Sequence, residues 1–239
     1  MKHKINKSFI EQVIKYQSRQ LKHVHRKEQL EKRLHPILKS FDYLKGKTKL
    51  DKRIRNELLK YIPISLISCM QGYFLFLTKD FIDFGEPFTS RITSLKDTNF
   101  SFESIVALQD RQLSLGQIVS YTYSFSNFPT LLSVMDCILN NNFKWLISNY
   151  PLSCPNCKCS FRIEELIPDF FANIDRTFQL RNIFAHEIAL KEKIRITEID
   201  DLSGSIQLFL YLSEKIAEMV FSGYTMDMVE SLSDLFVSD

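Results

Sequence analysis

The chain has 239 residues, of which 45% are apolar, enough for one buried core with an added arm or for two small domains. Its 6 Gly and 7 Pro are few for a turn-rich β-sandwich or barrel, and abundant Leu, Ile, Lys, Glu and Gln favour long helices instead. The net charge of +3 conceals an asymmetry: residues 1–55 carry 17 Lys/Arg against 5 Asp/Glu, and the remainder carries 14 against 23.

Taken in chain order, Phe9, Val13, Tyr16, Leu21, Val24 and Leu30 recur at helical spacing between charges. They predict an amphipathic helix over residues 9–34, which His35-Pro36 should end. Gly46 among Lys45, Lys47 and Lys49 reads as an exposed connection, so residues 1–50 form a basic helical arm on a helical body of residues 51–239. A second long helix is predicted from Asp51 to about Phe84, bent near Pro63 and stopped by Gly85-Glu86-Pro87. Its charge-free stretch, residues 61–77, contains Pro63, Ser65, Ser68, Gln71 and Gly72 and falls short of the ~20 residues a bilayer needs. A buried core helix is expected there, with no membrane span. Helical stretches follow at 101–108 and 113–123, broken by Asn127-Phe128-Pro129. Thr130 is the expected N-cap of a helix to Leu139, ended by Asn140-Asn141-Asn142. Residues 143–150 lead to a cysteine-containing insertion near 151–160. Arg162 to Ile183 reads as helix with a break or fresh first turn at Pro168, and 203–220 as the last helix. The weak alternation of Ile194 to Ile199 suggests a short extended piece. No run of alternating strands stands out, and the fold class expected is all-α.

The basic end suits an anionic partner, nucleic acid first, or equally a solvated face that pairs with the acidic body. Lys22, Arg26, Lys27, Arg33, Arg53 and Arg55 are its candidate RNA contacts, because their charges displace counterions from phosphates. Histidines 23, 25 and 35 alternate with Lys and Arg and fit the same face. With 20 Phe and 9 Tyr, some rings are expected at a partner interface or a ligand pocket. Glu11, Gln12 and Lys15 interrupt any apolar run after the basic start, so no signal peptide is expected. Five Cys, an odd number, do not make a secreted disulfide framework and suggest a reducing cytoplasm. Cys154 and Cys157 have C-x-x-C spacing, with Cys159 as a third thiol. These are candidate ligands of a structural zinc, whose fourth ligand would come from elsewhere; a plain turn with reduced thiols is the competing reading. Cys69 and Cys137 read as small core residues.

The segment Phe178-Gln179-Leu180-Arg181-Asn182-Ile183-Phe184-Ala185-His186-Glu187 carries the candidate chemistry. RNA scission without a metal uses the ribose 2′-hydroxyl as nucleophile. It needs a proton-transfer group titrating near neutrality, which His supplies. It also needs a fixed positive charge for the pentacoordinate phosphate, which Arg supplies, while Asn can orient either. On one ideal helix Arg181 and His186 lie about 140° apart, so His186 should sit at the helix end, or the working pair should come from two motifs.

This pattern, an Arg followed by a polar residue and then by His near a helix end, resembles the signature of the HEPN superfamily (higher eukaryotes and prokaryotes nucleotide-binding). The resemblance implies an all-α HEPN-like helical bundle carrying the basic N-terminal arm. It implies a metal-independent endoribonuclease, of toxin or defence type, with Arg181, Asn182 and His186 as catalytic residues and no catalytic cofactor. It also implies RNA as substrate, a homodimer that joins two motifs in one cleft, and an antitoxin or other regulatory protein as partner. Many relatives carry an acidic residue in the upstream helix; this chain offers Gln71 there, with Asp175 and Glu187 as local carboxylates. A non-catalytic HEPN-like RNA- or protein-binding module is the alternative function. An unrelated helical scaffold, with His186 as a helix cap, is the third.

Overall fold

The computed structural model describes residues 3–5, 26–47, 50–93, 98–100, 113–153, 160–186 and 192–222. The expected helix over 101–108, most of that over 9–34, and Lys22, Cys154, Cys157, Cys159 and Glu187 lie outside the described residues. The described chain is mostly helical. It divides into two compact units, Met1–Gln29 with Gln71–Asn142, and Leu30–Met70 with Phe143–Asp239.

In the first unit, strand β1 (His3–Ile5) pairs in parallel with β2 (Thr98–Phe100), His3 opposite Thr98. Its helices are α3 (Phe88–Thr93), α4 (Leu115–Ser120), α5 (Phe128–Ile138) and the second part of the long helix α2 (Lys52–Phe84). Phe74, Leu77, Phe81, Phe88, Leu131 and Met135 are buried. The rings of Phe81 and Phe88 are 5.0 Å apart and tilted, a packing that adds edge-to-face attraction to the area buried. Helices α3 and α5 are tied by polar bonds: Arg91 Nη1 donates to the Ile138 carbonyl at 3.1 Å, and Cys137 Sγ to the Arg91 carbonyl at 3.1 Å.

Gly116 lets α4 approach α2 closely. Asp83 accepts from the Gly116 amide (2.8 Å) and the Ser114 hydroxyl (2.6 Å), which serves two groups at the α4 N-terminus. Ser114 and Gln117 complete a capping box. Lys79 lies 3.0 Å from Asp83. Partial burial works against the Lys79 charge, but Asp83 and Asp80 outweigh it and hold its pKa above the ordinary value.

The second unit holds most of α1 (Arg26–Gly46), the first part of α2, α6 (Phe143–Asn149), α7 (Ile163–Leu166), α8 (Phe170–His186) and α9 (Ile196–Phe221). A hairpin of β3 (Leu152–Ser153) and β4 (Ser160–Phe161) brackets the cysteine segment. Helix α9 buries Ile199, Leu202, Ile206, Leu210 and Ala217, at spacings that form one helical face. Phe209 sits between Phe143 (5.9 Å) and Phe170 (6.3 Å). Helices α8 and α9 pass in opposite directions: Asn173 Nδ2 donates to Ser205 Oγ at 3.1 Å, and Arg176 Nε meets Glu198 at 3.3 Å. Lys45, at the end of α1, pairs with Asp200 at 2.7 Å.

Several expectations need correction. Pro36 does not end a helix, because α1 runs through it to Gly46. The Lys32 carbonyl loses its i+4 donor there, but Lys32 and Pro36 are both exposed, so water can replace it, while buried Phe41 and Leu44 hold the later turns in place. Asn127, not Thr130, caps α5: its side chain accepts from the Thr130 amide at 2.8 Å, leaving Pro129 in the first turn, where its missing N–H costs nothing. Ile196 to Ile199 open α9 instead of forming an extended piece, because burial of Ile199 on the α9 face overrides a weak alternation. The short strands escaped prediction because two or three residues cannot display a period of two.

Other boundaries follow the sequence. Asp51 caps α2 through the Arg53 (2.8 Å) and Ile54 (3.2 Å) amides. Gly85, at φ 99°, lies just past its end, and Asn140 and Asn141, at φ 57° and 64°, follow α5. The break near Pro168 separates α7 from α8. Among the described residues α2 alone is long and apolar enough to cross a membrane, yet Leu59, Leu66, Ile67, Met70, Phe74 and Leu77 on it are buried within the protein.

Candidate functional site

Helix α8 owes its orientation to two faces of opposite character. Phe170, Ile174, Thr177, Phe178 and Leu180 are buried. Asp175, Gln179, Asn182 and His186 follow one another at intervals of four, three and four, so they form one stripe on the other side. Gln179, Asn182 and His186 are exposed. Gln179 Nε2 donates to Asp175 at 2.8 Å. The stripe is a polar surface that apolar packing elsewhere on α8 holds toward solvent.

Arg181 is half-buried, on the side of α8 that carries Ile174 and Phe178, and its Nη1 donates to Asn182 Oδ1 at 2.7 Å. His186 is the last residue of α8, one turn beyond Asn182 on the same face. Among the described residues it makes no hydrogen bond or ion pair, and it is exposed. The structure thus joins Arg181 to Asn182 directly and aligns Asn182 with His186. Phe184 faces α2, where the Lys60 ammonium lies 5.9 Å from its ring centroid; Lys60 also pairs with Glu57 at 2.8 Å. Sequence reasoning missed Lys60, and nothing in its local pattern marks it.

The carboxylates weighed for the site are engaged elsewhere or lie outside the described residues. Asp175 bonds Gln179, and the Gln71 amide donates to the Phe125 carbonyl at 2.6 Å. Gln71 therefore serves as a hydrogen-bonded amide on a partly buried helix.

The basic candidates differ in what they offer. Arg26 has a side chain only 9% exposed, ion-paired to Asp80 and lying over the Tyr73 ring at 5.7 Å, so its charge is spent inside its unit. Lys27 and Arg53 are exposed. Exposed Arg33 reaches Ser68 Oγ at 3.5 Å, a long contact. Arg55 is half-buried, and its buried Nε has no hydrogen bond among the described residues. Cys69 is buried, which pushes its thiol pKa up and makes it a poor nucleophile. No protein-family model matches the chain, and no curated protein or solved structure matches it significantly.

Proposed function

We propose that this chain is a metal-independent endoribonuclease of HEPN type, a helical bundle with a basic N-terminal arm, acting in the cytoplasm as a toxin or defence factor. One observation carries the reading: Arg181 is bonded to Asn182, and His186 stands one turn further along the same exposed face of α8. A phosphodiester held on this face can meet Asn182 and His186, with Arg181 linked to it through Asn182. In the reaction the His186 imidazole takes the proton of a ribose 2′-hydroxyl as its oxygen attacks phosphorus. The 5′-oxygen leaves and is protonated, and a 2′,3′-cyclic phosphate remains. Arg181 balances the charge that builds on the phosphoryl oxygens, and Asn182 fixes the guanidinium. A single imidazole cannot be base and acid in one step, so two copies of the chain meeting on this face would supply both. An antitoxin or other regulatory protein would cover the same face.

A second reading, a non-catalytic HEPN-like binding module, draws on a specific observation. Arg181 and Asn182 bond each other, and no carboxylate among the described residues bonds Arg181. Incubation of the purified protein with RNA in EDTA separates the two. The nuclease yields 2′,3′-cyclic phosphate or 3′-phosphate ends; the binding module retains RNA uncut.

A further inference from the structure

Helices α1 and α2 leave an open cavity of about 590 Å³ in the second unit, lined among others by Ile37, Lys39, Tyr43, Leu58, Tyr61 and Ile62. Two of its walls are aromatic rings turned largely to water: Tyr43 is 61% exposed and Tyr61 62%. An exposed ring beside an apolar hollow gains by covering its face. The surroundings are basic. Lys39 lies one turn before Tyr43, and Lys47 lies one turn after it with its ammonium 4.9 Å from the ring centroid. Of the acids on these segments, Asp51 is occupied with the α2 N-terminus and Glu57 pairs with Lys60, which leaves Asp42.

We propose that this cavity is a base-binding subsite for single-stranded RNA, in which an unstacked nucleobase packs on Tyr43 and Tyr61 while Lys39 and Lys47 hold the flanking phosphates. The assignment rests on the ribonucleolytic reading above and names where the substrate is gripped away from the scissile bond. A cavity of this size accommodates a flat heterocycle. Aromatic platforms bind any base, since each has a π face, and the lysines supply the charge that draws in the backbone. A duplex, whose bases are stacked already, has no base to offer. A second copy of the chain fits less well, because a two-fold contact would gather two sets of Lys39 and Lys47 into one patch.

The test is fluorescence anisotropy with a labelled oligouridylate, in a His186→Ala background that slows cleavage. Tyr43→Ala and Tyr61→Ala should each weaken binding about 5- to 150-fold. Tyr43→Phe and Tyr61→Phe should keep it, since the ring does the stacking. Photocrosslinking of the same oligonucleotide to the parent chain should label a peptide containing Tyr43 or Tyr61, a readout independent of any variant. Unchanged affinity in both Ala variants, with crosslinks elsewhere, overturns the subsite; if the parent still cuts RNA, the nuclease reading survives that loss. A change of oligomeric state in the Ala variants at constant RNA affinity makes this face a protein interface and also overturns the proposal. A parent chain that neither binds nor cuts RNA removes both readings together.

Discussion

Replacing Gly116 by Ala puts a methyl group where the structure has no room for it. The new Cβ would stand 2.4 Å from the Lys79 carbonyl oxygen and 2.5 Å from Asp83 Oδ1, both far inside van der Waals contact. The Lys79 oxygen belongs to the α2 backbone and cannot swing away, so either α4 withdraws or Asp83 turns aside. Both responses break the bonds that Asp83 accepts from the Gly116 amide and the Ser114 hydroxyl. Each is worth about 1–1.5 kcal/mol at this partly exposed site. Overpacking adds about 1 kcal/mol. Against these stands a gain of about 1 kcal/mol, because alanine is the better helix former. The net expectation is a loss of about 2 kcal/mol, which lowers the melting temperature by roughly 4–8 °C in a chain of this size. Thermal unfolding followed by circular dichroism measures it. The same substitution in an Asp83→Ala background should cost less, since the two changes strike one set of contacts. An unchanged or raised melting temperature for Gly116→Ala would refute the close approach of α4 to α2.

Burial raises the Tyr123 phenol from its ordinary value of 10.0 to about 12. Below pH 10 it is protonated in folded and unfolded chains alike; between pH 10 and about 12 only the unfolded chain releases the proton, so stability should fall across that window. Tyr123→Phe should flatten that fall in urea titrations run at successive pH values, and an identical slope would contradict the burial. The basic surface is tested by substitution, because α1 buries Phe41 and Leu44 and its removal would disturb the fold. Arg53→Gln and Arg33→Gln should each reduce the slope of log affinity for RNA against log salt by about 0.7–0.9. Arg26→Gln should leave the slope unchanged and lower stability instead, since its partner is Asp80. Equal effects from all three would mean that the ion pair does not hold in solution.

What the sequence disclosed follows from where the physics is local. The bounds of α2 were legible because Asp51 and Gly85 act on their immediate neighbours, through amide acceptance and through a positive φ. The buried side of α8 was legible from the spacing of Phe170, Ile174 and Phe178. Pro36 misled because a proline's cost depends on whether water can reach the orphaned carbonyl, which only the fold decides. At the site, the proximity of Asn182 to Arg181 and the place of His186 at the helix end were in reach of helical geometry. The spending of Arg26 on Asp80, 54 residues away, was not, nor was the approach of Lys60 to Phe184. Both are contacts between distant segments, to which no local spacing corresponds.

The central claim is that Arg181 and His186 cut RNA. The direct measurement is single-turnover cleavage of RNA in EDTA by the parent chain, His186→Ala and Arg181→Ala, with the product ends identified. The parent should leave 2′,3′-cyclic phosphate or 3′-phosphate. Each substitution should slow cleavage about 10²–10⁴-fold, and the two together hardly further, since both side chains serve one step. Asn182→Ala should lose no more than either. Stability should change by no more than about 0.5 kcal/mol for His186→Ala, a residue open to solvent. Cleavage that strictly requires a divalent metal, or a folded His186→Ala protein that cuts at the parent rate, would contradict the account.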